Sequence, residues 1–283
     1  MSERPLPLIV GFVSDLMFST QIGSVAQHLG YDVRWIESAS SLPGHAAESG
    51  EGPGERLEGQ AGALFNEITR AQPVLLIFDL DNGQIPWRRW IAALKSSPAT
   101  RRLPVLAFGS HVNTEALAAA RSAGADAVVA RSRFSSHLPE LIREYARQRD
   151  SAGLATSCSQ PAPELVREGI DLFNAGHYYQ CHDALEEAWR SEKGPVRNLY
   201  RAILQIGISY FQIERGNYRG AVKMLLRVRQ WLAPLPAVCQ GVDVSSLRED
   251  VERVYAALAD TGPDELASFD TSLFRPVRLV GPR

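Results

Sequence analysis

Five short, continuously apolar segments in the first half of the chain alternate with segments whose apolar residues recur every three or four positions. The apolar segments have the length of buried strands, and the segments between them have the periodicity of amphipathic helices. Because successive parallel strands can be joined only through a crossover, this alternation predicts a parallel sheet with helices on both faces. The strands are predicted at 7–13, 32–36, 74–80, 105–109 and 127–130, and the helices at about 17–29, 58–71, 86–96, 113–123 and 134–148.

The second half of the chain carries only helical periodicity, and we find no convincing strand in it. Residues 150–162 have the small and polar composition of a linker, and residues 39–58 contain few large apolar side chains and are expected to form a mobile loop. We therefore expect an α/β domain at 1–149, a linker at 150–162 and an all-helical domain at 163–283. The helices of the last domain are predicted at about 163–175, 178–191, 195–214, 218–231 and 245–259.

The helical half also contains an internal repeat with a period of 40 residues. Residues 176–185 align with residues 216–225, and a glycine, a tyrosine, a small residue and a leucine recur at equivalent places. A turn glycine followed by an aromatic and a small residue is typical of helical hairpin repeats. The sequence therefore predicts a helical bundle built from hairpins similar to those of tetratricopeptide repeats.

Composition narrows the classes of function. The net charge of −2 lacks the basic excess of a nucleic-acid-binding protein. The apolar run at 6–13 is much shorter than the roughly 20 residues that a membrane helix needs, and it lacks the flanks of a signal peptide. The three cysteines show no pairing pattern, which favours a reducing compartment. We expect a cytoplasmic protein that binds neither nucleic acid nor membranes.

Polar residues gather where the predicted strands end. Ligands of parallel α/β sheets bind at the carboxyl ends of the strands, so these residues are candidates for binding. An edge formed by Asp15, His111 and Arg131 could bind a small effector, although surface loops are polar in most proteins. The residues at this edge are Ser14, Asp15, Asp79, Asp81, Ser110, His111 and Arg131 to Arg133.

Residues 6–148 resemble the receiver domain of bacterial response regulators, through their strand order and through Asp79 at the end of the segment Val-Leu-Leu-Ile-Phe-Asp. The resemblance implies a flavodoxin-like (βα)5 fold with Asp79 at the position of the phospho-acceptor. Receivers also use a pair of acids after the first strand to hold magnesium, a Thr or Ser after the fourth strand and a Lys after the fifth.

This chain departs from that pattern at each of those places. At most one acid of the required pair, Asp15, remains after the first strand. The hydroxyl of Ser110 is displaced by one residue from the expected position, and Arg131 occupies the position of the lysine. Magnesium neutralises the charge that develops during phosphoryl transfer, so the loss of an acid should weaken phosphorylation severely. The resemblance therefore implies a pseudo-receiver that is not efficiently phosphorylated. Three segments are also similar to those of a degenerate subclass of receivers: 15–18, 108–112 and 130–134.

His182, Glu186 and Trp189 lie at helical spacing within the predicted helix 178–191. An imidazole and a carboxylate four residues apart share one face of a helix, so they could bind a metal ion, act as an acid–base pair or form a hydrogen bond in the core. A catalytic zinc needs three protein ligands, and the His-Glu-x-x-His signature is absent. His182 and Glu186 are therefore candidate catalytic residues and an incomplete set of candidate ligands for a divalent metal.

The next predicted helix has polar residues along a single line: Asn198, Arg201, Gln205, Ser209 and Gln212. If this line faces His182 and Glu186, the bundle encloses a small polar pocket with Arg201 and Gln205 as binding residues. If the line faces water, it is the exposed side of an amphipathic helix. Both alternatives are open on the sequence.

Residues 163–278 resemble a small helical family known as domain of unknown function 309. The resemblance implies a helical fold with a candidate pocket, and the family is sometimes described as predicted metal-dependent hydrolases. The acid after the histidine is usually Glu in that family and is Asp183 here. The matching residues are Phe173, Asn174, Gly176, His182, Leu185, Glu186, Trp189, Arg201, Leu204, Gln205, Gly216 and Asn217.

These patterns support three hypotheses of function. The first is a signalling or regulatory protein, in which a pseudo-receiver is coupled to a helical module that binds a protein partner or a small anionic ligand. The second is a metal-dependent hydrolase with its site at His182 and Glu186. The third is a sensor that binds a small ligand at the strand edge of the α/β domain. The architecture favours the first hypothesis, although fold alone is weak evidence for function.

Overall fold

The computed structural model describes residues 6–43, 59–147 and 151–280. The chain divides into two compact units, Met1–Gln148 and Arg149–Arg283. Of the loop expected at 39–58, only residues 39–43 are described, and they include the short 3-10 helix Ala39–Ser41. The rest of that expected loop lies outside the described residues.

The first unit contains a parallel sheet of five strands in the order β2-β1-β3-β4-β5. This is the strand order of flavodoxin-like folds, and it confirms the predicted fold class. Strands β3 and β4 are buried at every position, as expected for strands covered on both faces. The strands are β1 (Leu8–Phe12), β2 (Asp32–Trp35), β3 (Leu75–Asp79), β4 (Val105–Gly109) and β5 (Ala127–Ala130).

Helices cover both faces of this sheet. Val10 and Ile9 point to opposite faces because side chains alternate along a strand, and each belongs to a different hydrophobic core. Helices α2 to α4 pack in the core of Val10, and α1, α5 and α6 pack in the core of Ile9. The helices are α1 (Leu16–His28), α2 (Gly59–Ala71), α3 (Trp87–Ser96), α4 (Thr114–Ser122), α5 (Arg131–Ser136) and α6 (Leu138–Tyr145).

The last helix of the first unit differs from the sequence prediction. A single helix was expected at 134–148, whereas the structure has α5 and α6 with His137 between them. Pro139 lies in the first turn of α6, where its missing N–H is tolerated but would interrupt a continuous helix. The helix also begins earlier than predicted, so Arg131 lies at the start of α5 rather than in a loop.

The second unit is mainly helical, with one short hairpin. Its helices are α7 (Ser151–Cys158), α8 (Glu164–Asn174), α9 (Cys181–Ser191), α10 (Arg197–Glu214), α11 (Tyr218–Leu232) and α12 (Val244–Thr261). The hairpin consists of β6 (Val238–Cys239) and β7 (Val242–Asp243), strands too short for a recognisable alternation. Gln240 and Gly241 both have positive φ, as a tight two-residue turn requires. The expectation that this half contains no strand was wrong.

The segment expected as a linker also contains structure. Helix α7 occupies most of residues 150–162, and its Leu154 and Cys158 are buried, four residues apart on one face. Cys158 forms a disulfide with Cys239, and its carbonyl accepts a hydrogen bond of 2.7 Å from the backbone N–H of Gln240. Composition was misleading here because two long-range contacts, rather than apolar periodicity, fix this helix to the hairpin.

The cysteine prediction therefore needs correction. The disulfide joins residues 81 positions apart, and Cys181 is free and buried, where desolvation raises the pKa of its thiol to about 12. The cysteines no longer argue for a reducing compartment. Across the described ranges, we find no helix with the length and hydropathy needed to cross a membrane.

The predicted repeat corresponds to two helical hairpins, α8–α9 and α10–α11. Gly176 and Gly216 end the first helix of each hairpin with φ of 81° and 70°. In both turns the next residue donates its N–H to a carbonyl five residues back, from His177 to Leu172 and from Asn217 to Gln212. This is the glycine-ended turn in which the left-handed residue closes the helix. Each 40-residue unit of the repeat therefore contains one pair of helices, and the turn between the two helices has the same hydrogen bond in both units.

The disulfide should contribute measurably to stability. We expect the double variant Cys158→Ser with Cys239→Ser to lose about 2–4 kcal/mol of unfolding free energy, because the crosslink restricts a long loop in the unfolded chain. Urea unfolding followed by circular dichroism measures this loss. Reductant should lower the urea midpoint of the wild type and leave that of the double variant unchanged. Equal urea midpoints for the oxidised and the reduced wild type would contradict the assignment of a disulfide between Cys158 and Cys239.

Candidate functional site

Asp79 lies at the end of β3, at the carboxyl edge of the sheet, and its side chain is almost completely buried, with 1% exposure. Its Oδ1 accepts a hydrogen bond of 3.0 Å from the backbone N–H of Asp81. Phe78 stacks on Phe12 with ring centroids 4.1 Å apart, which packs the strand just before the acid. Asp79 is therefore held rigidly at the position that the sequence predicted for it.

Arg131 supplies the counter-charge of this acid. Because β5 ends at Ala130, Arg131 starts α5 and reaches past the end of β4 to β3. Its Nη2 lies 3.2 Å from both carboxylate oxygens of Asp79. The guanidinium also lies over the ring of Phe18, 5.1 Å from its centroid. One guanidinium thus contacts both oxygens that a phospho-acceptor would use.

Asp81 extends this ion pair into a network, which we call the Asp79 cluster: Asp79, Asp81, Ser110 and Arg131. The Nε of Arg131 lies 3.1 Å from Oδ2 of Asp81, and its N–H is not aligned for a hydrogen bond, so the contact is purely an ion pair. The same oxygen accepts a hydrogen bond of 2.9 Å from the backbone N–H of Ser110. Asp79 is the last residue of β3, and Ser110 and Arg131 directly follow β4 and β5, so the cluster lies at the ends of three neighbouring strands.

The pKa of Asp79 is raised above its ordinary value, mainly because burial removes water from the charged form. The N–H of Asp81 and the charge of Arg131 act in the opposite direction and limit the increase. Without the guanidinium, the carboxylate would be a buried charge with a single hydrogen bond. The N–H of Asp81 and the guanidinium of Arg131 together offset the cost of burying the ionised form of Asp79.

The other predicted edge residues have different surroundings. Asp15 is the N-cap of α1, and its Oδ1 accepts hydrogen bonds from the backbone N–H groups of Met17 (2.9 Å) and Phe18 (3.3 Å). His111 is exposed in the loop after β4. Among the contacts of the described residues, neither Asp15 nor His111 bonds to the Asp79 cluster. Of Asp15, His111 and Arg131, the three residues of the predicted sensor edge, only Arg131 has a contact with Asp79 in the described part of the chain.

In the helical unit, His182 and Glu186 lie on one face of α9 and have different partners. Nδ1 of His182 lies 3.4 Å from Oδ1 of Asp183, and Oε1 of Glu186 accepts a hydrogen bond of 3.0 Å from Arg190. Both side chains are about one-third exposed, at 33% and 29%. An open depression of about 550 Å³ beside them is lined by Asp183, Glu186, Glu187, Arg190 and Ser191. Within the described ranges, no three His, Cys, Asp or Glu side chains could together hold a metal ion.

Trp189 belongs to a second group of contacts, which we call the Arg–Trp cluster: Trp189, Arg197, Arg201, Gln205 and Trp231. The guanidinium of Arg201 lies between two indoles, 4.8 Å from the centroid of Trp189 and 4.1 Å from that of Trp231. The guanidinium of Arg197 lies 5.0 Å from the same Trp189 ring. The indole N–H of Trp231 donates a hydrogen bond of 3.0 Å to Oε1 of Gln205.

These contacts decide how the polar line of α10 is oriented. Arg201 contacts Trp189 on α9 and Trp231 on α11, and Gln205 contacts Trp231. Both side chains are half-buried and Ser209 is fully buried, so this part of the line packs against neighbouring helices. The line meets indoles rather than an open polar pocket. The sequence did not identify Arg197 or Trp231, because the contact between an arginine and an indole on another helix has no signature in local spacing.

The ion pair between Arg131 and Asp79 should show as a coupling in stability. We expect Arg131→Met to lose about 1–3 kcal/mol of unfolding free energy, less than for a fully buried pair because Arg131 is 34% exposed. Asp79→Asn in the same chain should restore much of that loss, since it removes the unpaired charge. Urea unfolding of both single variants and the double variant measures the coupling.

The loss in Arg131→Met should also depend on pH. Because the folded-state pKa of Asp79 is raised, the folded protein binds this proton more tightly than the unfolded chain, and the ionised acid costs stability above that pKa. The loss should therefore shrink as the pH falls through the folded-state pKa. Arg133→Met, an exposed neighbour on α5, is the control. A loss in Arg131→Met that Asp79→Asn leaves unchanged would show that the two side chains are not coupled.

Comparison with known proteins covers each half separately. An uncharacterized protein of Aquifex aeolicus is 25% identical over 104 residues, which are 36% of this chain and only 31% of that protein. Similar solved structures include the phosphorylated cyanobacterial phytochrome response regulator RcpA, with 14% identity, coverage of 50% of this chain and 94% of that chain, and a TM-score of 0.37. A putative response regulator from Chloroflexus aurantiacus has 18% identity, coverage of 50% and 98%, and a TM-score of 0.38.

Residues 166–224 match the family described as Domain of unknown function (DUF309). They extend from α8 into α11 and include both helical hairpin turns and most of the Arg–Trp cluster. The family match thus lies in the C-terminal part of the chain, and the two response regulators are similar to it over half of its length.

Proposed function

We propose that the protein is a signalling or regulatory protein whose receiver-like unit is not switched by efficient phosphorylation. In this proposal a permanent ion pair takes the place of the phosphorylation site, and the helical unit is the module that binds a partner. The observation that supports it is the guanidinium of Arg131 at 3.2 Å from both oxygens of Asp79.

Phosphorylation of a carboxylate requires an accessible oxygen and a divalent cation that neutralises the transferred group. Asp79 is 1% exposed, and both of its oxygens are engaged by Arg131. An incoming phosphoryl group would have to displace a charged partner before it could react. Burial and the ion pair therefore both oppose the reaction.

The residues present do not fit a magnesium site of the receiver type. Such a site needs hard oxygen ligands with a net negative charge. The carboxylate of Asp15 is oriented by the first turn of α1, and the positive charge of Arg131 lies between Asp79 and Asp81. A divalent cation at this place would be repelled by the guanidinium that it had to replace.

The helical unit is the candidate binding module. Helical hairpins that stack on one another build continuous surfaces, and such surfaces commonly bind proteins. Two depressions on this unit are open to solvent, one beside α9 and one of about 400 Å³ around the turn of the first hairpin. The second is lined by Gly176, His177, Tyr178, Tyr179, Gln180, Phe211 and Glu214. A protein partner or a small anionic ligand is the proposed occupant of the unit.

Acetyl phosphate tests the proposal for the receiver-like unit. Incubation with acetyl phosphate and magnesium should leave the intact mass of the protein unchanged, because Asp79 is buried and paired. The variant Asp79→Asn sets the background for adventitious modification. Stoichiometric addition of one phosphoryl group to the wild type, absent from the variant, would overturn the proposal.

A metal-dependent hydrolase at His182 and Glu186 is the alternative, and the depression that Glu186 lines together with Asp183 and Glu187 is the observation that favours it. Because these two side chains bond to Asp183 and Arg190, we expect His182→Ala to leave the metal content unchanged. Elemental analysis of untagged wild type and variant is the measurement. Glu187→Gln, on the same depression, is the matched control. Stoichiometric metal in the wild type that disappears only in His182→Ala would favour the hydrolase.

A further inference from the structure

The last described residues of the chain, 274–280, lie on the surface of the helical unit, and we call them the C-terminal segment. They form no helix, and Leu279 forms an antiparallel bridge with Val242 of β7. Val277 is buried, with 3% exposure, Phe274 is half-buried, and the other side chains of the segment are exposed. Two side chains therefore anchor the segment, and its hydrogen bonds are made mainly through its backbone.

Asn174, the last residue of α8, binds this backbone through both ends of its side-chain amide. Its Oδ1 accepts a hydrogen bond of 2.7 Å from the N–H of Val277, and its Nδ2 donates one of 3.1 Å to the carbonyl of the same residue. These bonds use only backbone groups that every residue except proline has. Asn174 can therefore bind the backbone of another chain in the same way.

Phe274 is received by an aromatic surface. Its ring stacks on that of Tyr210 with centroids 4.1 Å apart, and the ring of Tyr178 packs edge-on against it at 5.8 Å. Tyr178 also lines the open depression of about 400 Å³ around the turn of the first hairpin, and all the residues that line this depression belong to 176–214. The surface that holds Phe274 therefore continues into space that the C-terminal segment leaves open.

Beyond Val277 the segment adds a strand to the hairpin of β6 and β7. The N–H of Asp243 donates a hydrogen bond of 2.9 Å to the carbonyl of Arg278, and the N–H of Val280 donates one of 2.7 Å to the carbonyl of Gly241. Strand addition is a common mode of peptide recognition, in which backbone hydrogen bonds give affinity and side-chain pockets give specificity. The C-terminal segment is thus held as a bound peptide would be, although it belongs to the same chain.

On the basis of the proposed function, we infer that the surface under the C-terminal segment is the partner-binding groove of the helical unit and that the segment is its intramolecular competitor. The groove is formed by three side chains and one turn: Asn174, Tyr178, Tyr210 and residues 241–243. The partner is a protein with an extended segment in which an aromatic residue is followed three positions later by a β-branched aliphatic residue, as Phe274 is followed by Val277. A side chain of the partner that fills the depression beside Tyr178 adds a contact that the chain's own segment does not make.

A fluorescently labelled peptide of residues 270–280 tests whether the groove accepts a segment from another molecule. In the full chain, Phe274→Ala together with Val277→Asp removes both anchors and should release the C-terminal segment. We expect this released variant to bind the peptide roughly tenfold or more tightly than the wild type does, because a groove that is free in only a small fraction of molecules lowers the apparent affinity by that fraction. Fluorescence polarisation measures the binding. Arg275→Ala, at an exposed position between the anchors, is the matched control and should bind like the wild type.

Substitutions in the groove and in the peptide make the test specific. Asn174→Ala, added to the released variant, should weaken peptide binding about tenfold, the factor expected from the loss of two backbone hydrogen bonds. Because Asn174 is exposed, circular dichroism should show an unchanged fold. A peptide that carries Phe274→Ala and Val277→Asp should not bind. Binding that survives Asn174→Ala, or a folded released variant that does not bind the peptide, would overturn the inference.

The wild type gives a readout that does not depend on the folding of any variant. Unlabelled peptide is added to the ¹⁵N-labelled full chain at millimolar concentration, on the order of the effective concentration of a tethered segment. We expect the amide signals of Val277 and Val280 to move to the positions of an unstructured chain, while that of Leu225, buried in α11, stays in place. An unchanged amide signal of Val277 would contradict the inference.

Two further outcomes are separated by the same samples. Dimers that dissociate when peptide is added, seen by light scattering, would assign the groove to the segment of a second copy and would overturn the assignment to a partner protein. Phosphorylation of Asp79 is judged by mass, so the proposal for the receiver-like unit and the inference on the groove can fail independently.

Discussion

A carboxylate that is removed from water at the end of a central strand must be given a counter-charge, and this requirement organises the first unit. Asp79 is buried because β3 lies in the middle of a parallel sheet that is covered on both faces. Arg131 can reach it because β5 ends at the same edge and α5 begins there without a loop. The stack of Phe108 on Phe134, with centroids 3.9 Å apart, packs α5 against β4 and so fixes the start of that helix. The receiver-like scaffold and the ion pair thus support each other.

The helical unit uses arginine differently. Arg201 is oriented by two aromatic faces, whereas Arg131 is oriented by two carboxylates. A guanidinium between carboxylates is already neutralised. Arg131 therefore has a structural role at the charged edge of the sheet.

Periodicity predicted most of the fold, and local spacing predicted part of the site. Each end of the five strands was located to within one residue, because buried parallel strands are continuous apolar runs. The break at His137 was missed although Pro139 signalled it, and Asp15 was taken as a binding acid although an aspartate just before a helical pattern commonly caps it. The disulfide and the Arg–Trp cluster could not be predicted, because each joins residues that are brought together only by packing.

The titration of Asp79 tests the central claim most directly. Carboxyl carbon chemical shifts, followed by NMR over a pH series, give the pKa of Asp79 in the wild type and in Arg131→Met. Because the guanidinium favours the ionised carboxylate, the account predicts a higher pKa of Asp79 in the variant than in the wild type. The same pKa of Asp79 in both folded proteins would contradict it and would leave Asp79 without the partner on which the proposed loss of phosphorylation depends.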